Sequence, residues 1–240
     1  MKALRSEWLK LVSVRTTWYL LGAMVLIEGL AAGLATALGD VEDLRRGNVS
    51  TFVIGTHLAT VFMFTLGALL STNEYRHGTA NSTFVVTPKR ERVILAKLAV
   101  GLAVGIAGAL LYIAVHAGLG LSILSSRGVD VDSDLAVGGY VGVGVGLVLG
   151  CLFGVALGAL LRNQVLTIIV GLVMFLLAGT VTLFVGDDVG QYFPGEALLA
   201  LQNDPRVDLL SQTDGGLVLA GYCVVLGIAG MILTRQREIT

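Results

Sequence analysis

Charged residues are scarce in this chain. They make up 14% of its 240 residues, whereas a soluble globular domain carries about 25%. Hydrophobic residues account for 55% and the mean hydropathy is +0.84. This composition excludes an ordinary soluble domain, because too few charges remain to cover its surface. The net charge of −1 also gives no basis for a nucleic-acid partner.

Motifs of common enzymes are missing as well. The chain has no G-x-x-x-x-G-K-[ST] phosphate-binding loop, so we expect no ATP hydrolysis by this chain itself. It also lacks a G-x-S-x-G nucleophile elbow and an H-E-x-x-H zinc-binding helix. Its two cysteines, Cys151 and Cys223, lie in apolar runs and suggest neither a disulfide nor a metal site. We therefore predict no catalytic, cofactor-binding or metal-binding residues.

The polar residues that do occur collect in short blocks between long apolar runs. Each run has about 20 residues or more, which is the length that a helix needs to cross a bilayer. The sequence therefore predicts an all-α polytopic membrane protein with a single transmembrane domain. The six predicted spans cover residues 18–38, 51–70, 98–124, 135–161, 165–185 and 216–234.

Lysine and arginine are distributed unevenly between the two sides of this predicted topology. Twelve of the sixteen lie at the termini or in the even-numbered loops, and four lie in the odd-numbered loops. Acidic residues show the reverse bias. Because basic residues accumulate on the cytoplasmic side of membrane proteins, we expect both termini in the cytoplasm. The richness in Ala, Val, Leu, Gly and Arg suggests a bacterial source, and hence the cytoplasmic membrane.

Residues 1–17 are predicted to form an interfacial helix ahead of the first span. Leu4, Trp8 and Leu11 are spaced to share one face, and Lys2, Arg5 and Lys10 lie off it. A basic tail that only sets the topology is the alternative.

Glycines recur every fourth residue along the predicted fourth span. Small residues at this spacing let two helices approach closely in lipid. Two interpretations remain open at this stage. In the first, the stripe forms a close or sliding contact within the protein or with another subunit. In the second, it serves ordinary intramolecular packing. The stripe consists of Gly138, Gly142, Gly146, Gly150, Gly154 and Gly158.

One acidic residue, Glu28, lies inside the predicted first span. An ionisable group at that depth costs about 2.5–3.5 kcal/mol on insertion scales, so it is a candidate for function. We consider it a candidate pathway residue, a proton site or an interhelical hydrogen-bonding group. The outer loop over residues 186–215 is acidic, and its stretch "PGEALLALQNDP" predicts short helices before the last span.

Residues 74–98 read "EYRHGTANSTFVVTPKRERVILAKL". This stretch resembles the cytoplasmic segment between the second and third spans of ABC transporter permeases of the type-2 exporter class. The start of the chain and "YFPGEALLALQNDP" are similar to other parts of that family. The pieces that carry the resemblance are residues 74–79, Thr87-Pro88, Arg90 and the entry into the third span at Ala96-Lys97-Leu98. The residues that it assigns to ATPase coupling are Glu74, Tyr75, Arg76, His77, Gly78, Thr79, Pro88 and Arg90.

The resemblance implies a mechanism as well as a fold. Two permease units pair, each docks a separate ATPase subunit, and ATP and Mg²⁺ bind to that partner. Residues 71–97 then contain the coupling helix, and the short outer helices cap the pathway. An ion-coupled secondary transporter and a non-transporting membrane assembly protein are the alternatives. The sequence identifies neither the substrate nor whether the permease pairs with itself or with a relative.

Overall fold

The computed structural model describes residues 2–39, 56–79, 90–129, 133–202 and 210–236. Within these ranges every regular element is a helix, so the predicted all-α class is confirmed for them. The helices are α1 (Lys2–Ser13), α2 (Arg15–Leu38), α3 (Thr56–Arg76), α4 (Arg90–Ser126), α5 (Ser133–Leu161), α6 (Gln164–Leu176), α7 (Ala178–Val185), α8 (Asp187–Gly190), α9 (Pro194–Leu201) and α10 (Gln212–Gln236).

Four of these helices, α2, α4, α5 and α10, are long and apolar enough to cross a membrane. Together α6 and α7 make a fifth candidate, although the chain bends by 71° between them. The described residues therefore support four or five spans where the sequence predicts six. The helix at the predicted second span, α3, is not among them, because His57, Asn73 and several threonines lower its hydropathy.

The polar side chains of α3 are accommodated because this helix lies inside the bundle. Most of its residues between Thr56 and Glu74 are buried. Thr60, Thr65 and Thr72 each donate a hydrogen bond to the backbone carbonyl four residues earlier, at 2.7–3.1 Å. Neighbouring helices rather than lipid thus surround α3, and this explains how a less apolar helix occupies the core.

Helix α3 packs against half of the glycine stripe of α5. A Cβ atom on Gly150 would lie 2.6 Å from the side chain of Thr60, and one on Gly154 would collide with the carbonyl oxygen of Phe64. Gly158 faces Ser71 in the same way. The two backbones approach as closely as they do because these positions carry no side chain.

The other half of the stripe faces α9. Gly142 lies against the backbone of Leu201, and Gly146 lies against Leu198 and Gln202. Only open space surrounds the Cβ position of Gly138. At five of the six glycines, other helices of the same chain therefore occupy the space that a side chain would need.

Three aromatic rings join α3, α5 and α6. The ring centroid of Phe64 lies 6.2 Å from that of Phe153 and 5.6 Å from that of Phe175, and the last two are 5.2 Å apart. Gly171 of α6 provides the space for the Phe64 ring. Such tilted and edge-on arrangements are favourable beyond the burial of apolar area. This cluster makes α3, α5 and α6 one packed unit.

Contacts between helix ends define two ends of the bundle. At one end, which we call the terminal end, α1 meets the end of α3 and the start of α4, and the α5–α6 junction meets the end of α10. At the opposite end, Arg127 donates to the carbonyl oxygens of Thr36 and Gly39. That end also contains α8 and α9.

The contact between α3 and α5 predicts a difference between two glycines of one stripe. Gly154→Ala should lower the thermal stability of the purified chain, because its methyl group has no room beside the α3 backbone and overpacking costs about 1–3 kcal/mol. Gly138→Ala is the matched control and should leave the melting temperature unchanged, since its surroundings are open. Equal melting temperatures for the two variants would contradict this packing.

Candidate functional site

Four charged side chains meet at the terminal end of the bundle, and we call them the charged tetrad. Glu7 and Lys10 come from α1, Glu74 from the end of α3, and Lys97 from α4. The Lys97 ammonium lies 2.6 Å from Glu7 and 3.0 Å from Glu74. The Lys10 ammonium lies 2.7 Å from Glu7 and 2.5 Å from Glu74. Acids and bases therefore alternate around a neutral cluster that joins three helices.

Lys97 is the most deeply placed cation of the tetrad, with 4% of its surface exposed. Besides the two carboxylates, its ammonium donates to the backbone carbonyl oxygen of Leu70 at 3.0 Å. Three oxygens thus surround its ammonium group, as many as a lysine has hydrogens to donate. A buried charge is stable only when paired in this way. Lys97 therefore fixes α1 and α3 against the start of α4.

Lys10 is the solvent-facing member of the tetrad, with 40% of its side chain exposed. Burial alone would lower the pKa of its ammonium, but the hydrogen bonds and charges of Glu7 and Glu74 outweigh burial and raise the pKa. Lys10 therefore keeps its positive charge at physiological pH.

The junction between α1 and α2 holds the first helix in place beside the tetrad. The Thr17 hydroxyl donates to the carbonyl oxygen of Leu11 at 2.9 Å, and the indole of Trp18 donates to Val12 at 2.9 Å. Leu11 itself is buried in the main apolar core. Hence α1 is attached to the bundle by an apolar anchor and by the charges of Glu7 and Lys10.

A cavity of about 570 Å³ borders the tetrad. Its walls come from α1, from the α1–α2 junction, from the end of α3 and from Gln164 at the start of α6. Arg76 and Gln164 are hydrogen-bonded across it at 3.2 Å. The terminal end thus combines the buried charged tetrad with a cavity beside it that polar and apolar side chains line together.

The predicted coupling residues divide between the interior and the surface. Glu74 is 6% exposed and belongs to the tetrad, and Tyr75 lies under the guanidinium of Arg162 at 5.7 Å from its ring centroid. Arg76, His77, Gly78 and Thr79 are exposed. Pro88 and the rest of residues 80–89 lie outside the described residues. Arg90 begins α4, but its side chain is also outside them.

Gly78 ends α3 in a way that requires glycine. Its φ is +68°, a backbone conformation that residues with a side chain rarely adopt. Backbone N–H groups of Gly78 and Thr79 donate to the carbonyl oxygens of Tyr75 and Glu74, at 3.4 and 2.9 Å. These bonds satisfy the last turn of α3, as glycine-terminated helices commonly do. The chain therefore leaves α3 sharply beside Glu74.

Sequence reasoning missed three members of the tetrad as site residues, namely Glu7, Lys10 and Lys97. Along the chain they look like charges that set topology. One available signal was Lys97, which follows "VILA" and begins a long apolar run. A cation at such a position needs a partner, but the sequence does not say that Glu7, 90 residues away, supplies it.

Glu28 lies apart from the tetrad, in the middle of α2, and is 1% exposed. The glycines proposed for helix packing, Gly142, Gly146, Gly150 and Gly154, contact α9 and α3 as described above. Among the described residues, no group of three or more metal-binding side chains comes together.

A bundle of long apolar helices with an ionic joint at one end belongs to the class of multi-pass membrane proteins. Within that class, the chain belongs to the ABC-2 family: the family model described as "ABC-2 family transporter protein" matches residues 3–178. A search of curated proteins finds no match. The family is the membrane component of ABC transporters and not their ATPase, so this chain is a membrane permease that works with an ABC ATPase subunit.

The tetrad predicts a large effect of removing its central cation. Lys97→Met leaves Glu7 and Glu74 with less compensation in a buried site, and breaking a buried ion pair in this way costs about 3–5 kcal/mol. We expect a marked fall in melting temperature in detergent or nanodiscs.

The matched control for this variant is Arg235→Met, which removes the 3.2 Å pair between Arg235 and Glu91. Those side chains are 78% and 52% exposed, and exposed pairs contribute about 0–1 kcal/mol. A Lys97→Met variant as stable as the control would show that the tetrad contributes little to stability.

Proposed function

We propose that this chain is the membrane-spanning permease subunit of an ATP-driven exporter. Two permease units, either two copies or one copy and a relative, form the translocation pathway as a dimer. A separate ATPase subunit, which holds ATP and Mg²⁺, docks on the terminal end of each unit. The chain lies in the cytoplasmic membrane of a bacterium with six spans and with both termini in the cytoplasm.

One observation carries the docking part of this proposal. Glu74 lies just before residues 80–89, and Lys97 lies just after them, so the two bracket the segment expected to dock. Their side chains are 3.0 Å apart, and both are bonded to α1. A displacement of that segment would therefore act on α1, α3 and α4 together. A loop that only separated two spans would not need ion pairs between the two helices that flank it and α1.

The surface charge of the terminal end fits a partner with acidic groups. Arg76, His77 and Arg92 are exposed there, and so is Arg235. Long-range attraction between opposite charges steers association and suppresses wrong partners. The opposite end carries Asp187 and Asp188 in exposed positions. Among the described residues, exposed basic side chains therefore predominate at the terminal end, where the exposed Glu91 pairs with Arg235, and exposed acids occur at the opposite end.

An ion-coupled transporter is the second candidate, favoured by two observations. Glu28 is buried in the middle of a span, and the chain is broken between α6 and α7. Ion-coupled transporters bind their ions near such broken helices. Reconstitution decides between the candidates. An exporter needs its ATPase and ATP, whereas an ion-coupled transporter moves its cargo alone when a proton or sodium gradient is applied.

The first test of the proposal is affinity purification from native membranes in mild detergent. We expect an ATPase with a phosphate-binding loop to co-purify in a fixed ratio to the permease and to hydrolyse ATP. Purification without such a subunit from membranes of the source organism would count against the proposal.

Charge reversal at the expected docking surface should weaken that complex. We expect Arg76→Glu together with Arg90→Glu to reduce the recovered ATPase at least several-fold, or to leave it bound with ATP hydrolysis no longer dependent on cargo. The reason is that both substitutions place acids where an acidic partner would approach. Recovery and ATP hydrolysis are measured in the same preparation.

The matched control reverses two charges at the opposite end. Asp187→Lys together with Asp188→Lys changes exposed side chains of α8 and should leave ATPase recovery unchanged. If both double variants behave like the unaltered chain, the ATPase does not dock through Arg76 and Arg90.

The orientation can be measured with cysteines at the two ends of α4. The native Cys151 and Cys223 are buried, whereas Arg92 and Ser126 are exposed. We expect a membrane-impermeant maleimide to label Ser126→Cys in intact cells, and Arg92→Cys only after the membrane is permeabilised. The reverse pattern would place the terminal end outside the cell.

A further inference from the structure

Glu28 is the most unusual buried polar group among the described residues. Its side chain is 1% exposed, and neither carboxylate oxygen has a hydrogen-bond partner among the described residues. Paired carboxylates of the tetrad, by contrast, lie within 2.5–3.0 Å of ammonium groups. Native structures rarely leave a buried polar group unsatisfied, and such groups call for an explanation.

Among the described residues, the surroundings of Glu28 are polar and include no cation. Gly29 packs against Val115 and Leu119 of α4, which places Glu28 at the level of Tyr112 and His116. The backbone N–H of Ala59 acts on its carboxyl group only as a weak donor, without the geometry of a full hydrogen bond, and the Tyr112 hydroxyl is within electrostatic range.

Tyr112 and His116 are stacked, with ring centroids 5.2 Å apart. His116 Nδ1 is 3.3 Å from the hydroxyl of Tyr140 on α5. Among the described residues, the Tyr112 hydroxyl and His116 Nε2 also have no partner. Polar side chains of three helices, α2, α4 and α5, thus come together. Glu28, Tyr112 and His116 are buried and have spare hydrogen-bonding capacity, and Tyr140 beside them is half-buried.

The charged groups on the helices that pack against α2 are too distant to neutralise Glu28. On α4, Lys97 is fifteen residues from Tyr112, which is roughly 22 Å along a helix, and on α1 Lys10 is held in the tetrad. Glu74 of α3 is bound there as well. Arg127 is committed to the carbonyl oxygens at the end of α2. In the part of the chain that the structure describes, the titratable groups left near this level are His57, Tyr112, His116 and Tyr140.

We propose that Glu28 is a proton-binding site, with Tyr112, His116 and Tyr140 as the polar groups around it. In the conformation described here Glu28 carries one proton, bound to a carboxylate oxygen. A charged carboxylate without a partner is strongly unfavourable at this depth. Protonation neutralises it: one O–H bond forms on the carboxylate oxygen, and one O–H bond breaks in a hydronium ion, which leaves as water.

The packing favours a proton over a larger ligand. Glu28, Tyr112 and His116 are between 1% and 2% exposed, so a metal ion or an organic cation would have to displace these side chains. A proton needs no additional volume. The hydroxyl and imidazole groups provide hydrogen-bond partners through which a proton could leave when the helices separate. This inference does not rest on the proposed export function, since it concerns only the conformation described here.

Infrared difference spectroscopy of the full-length chain in lipid nanodiscs tests the proposal. We expect a C=O band of a protonated carboxylic acid at neutral pH, and we expect Glu28→Gln to remove it. Glu196→Gln is the matched control, because Glu196 is also buried. This variant would remove any protonated-acid band that belongs to Glu196. Loss of the same band in the control but not in Glu28→Gln would overturn the assignment.

A wild-type spectrum without an acid band at neutral pH would overturn the proposal directly. If Glu28→Gln does not fold, Glu28→Asp serves instead, because a shorter acid keeps the band but shifts its frequency. A band that does not move in Glu28→Asp would then belong to another carboxyl group, and the proposal would fail.

Discussion

The structure depends most on the need to compensate a buried cation at the base of α4. Lys97 has only 4% of its surface exposed, and an ammonium in that position is tolerated only with oxygens on all sides. Two of these oxygens belong to Glu7 and Glu74, and the third to the backbone of α3. Since they come from different parts of the chain, neutralising Lys97 brings α1, α3 and α4 together. Lys10 completes the charge balance from the solvent side.

The second constraint is the close approach of α3 to α5. Glycines of α5 face the backbone of α3, and the ring of Phe64 packs against Phe153 and Phe175. Close-packed interiors have low compressibility and transmit strain. Under the proposed function, force applied near Thr79 is therefore carried along α3 into α5 and α6. The charged tetrad links the helices on which the force acts, and the contact between the α5 glycines and α3 transmits that force to the membrane-spanning helices.

The positions of the apolar helices could be predicted from the sequence, because hydropathy reports them directly. Residues 18–38 and 216–234 fall within α2 and α10, and residues 135–161 fall within α5. The bend between α6 and α7 was not predictable, since the run "MFLLAGTVTLF" contains no proline and suits a straight helix equally well. Contacts of α7 with α8 and α9, such as Thr182 with Glu196 at 3.4 Å, belong to the tertiary structure. The tetrad was unpredictable for the same reason, because the sequence does not pair Glu7 with Lys97.

The two polar centres of the bundle are built on shared helices. The tetrad takes Glu74 from α3 and Lys97 from α4, while Ala59 of α3 and Tyr112 of α4 lie beside Glu28. These helices are continuous between the two levels. A movement that separates α3 from α4 at the terminal end must therefore alter the packing around Glu28 as well. Under the proposed function, the helix movement driven by the ATPase would in this way expose the Glu28 carboxyl group, which is buried in the conformation described here. Proton release would then follow from the same movement that opens the pathway.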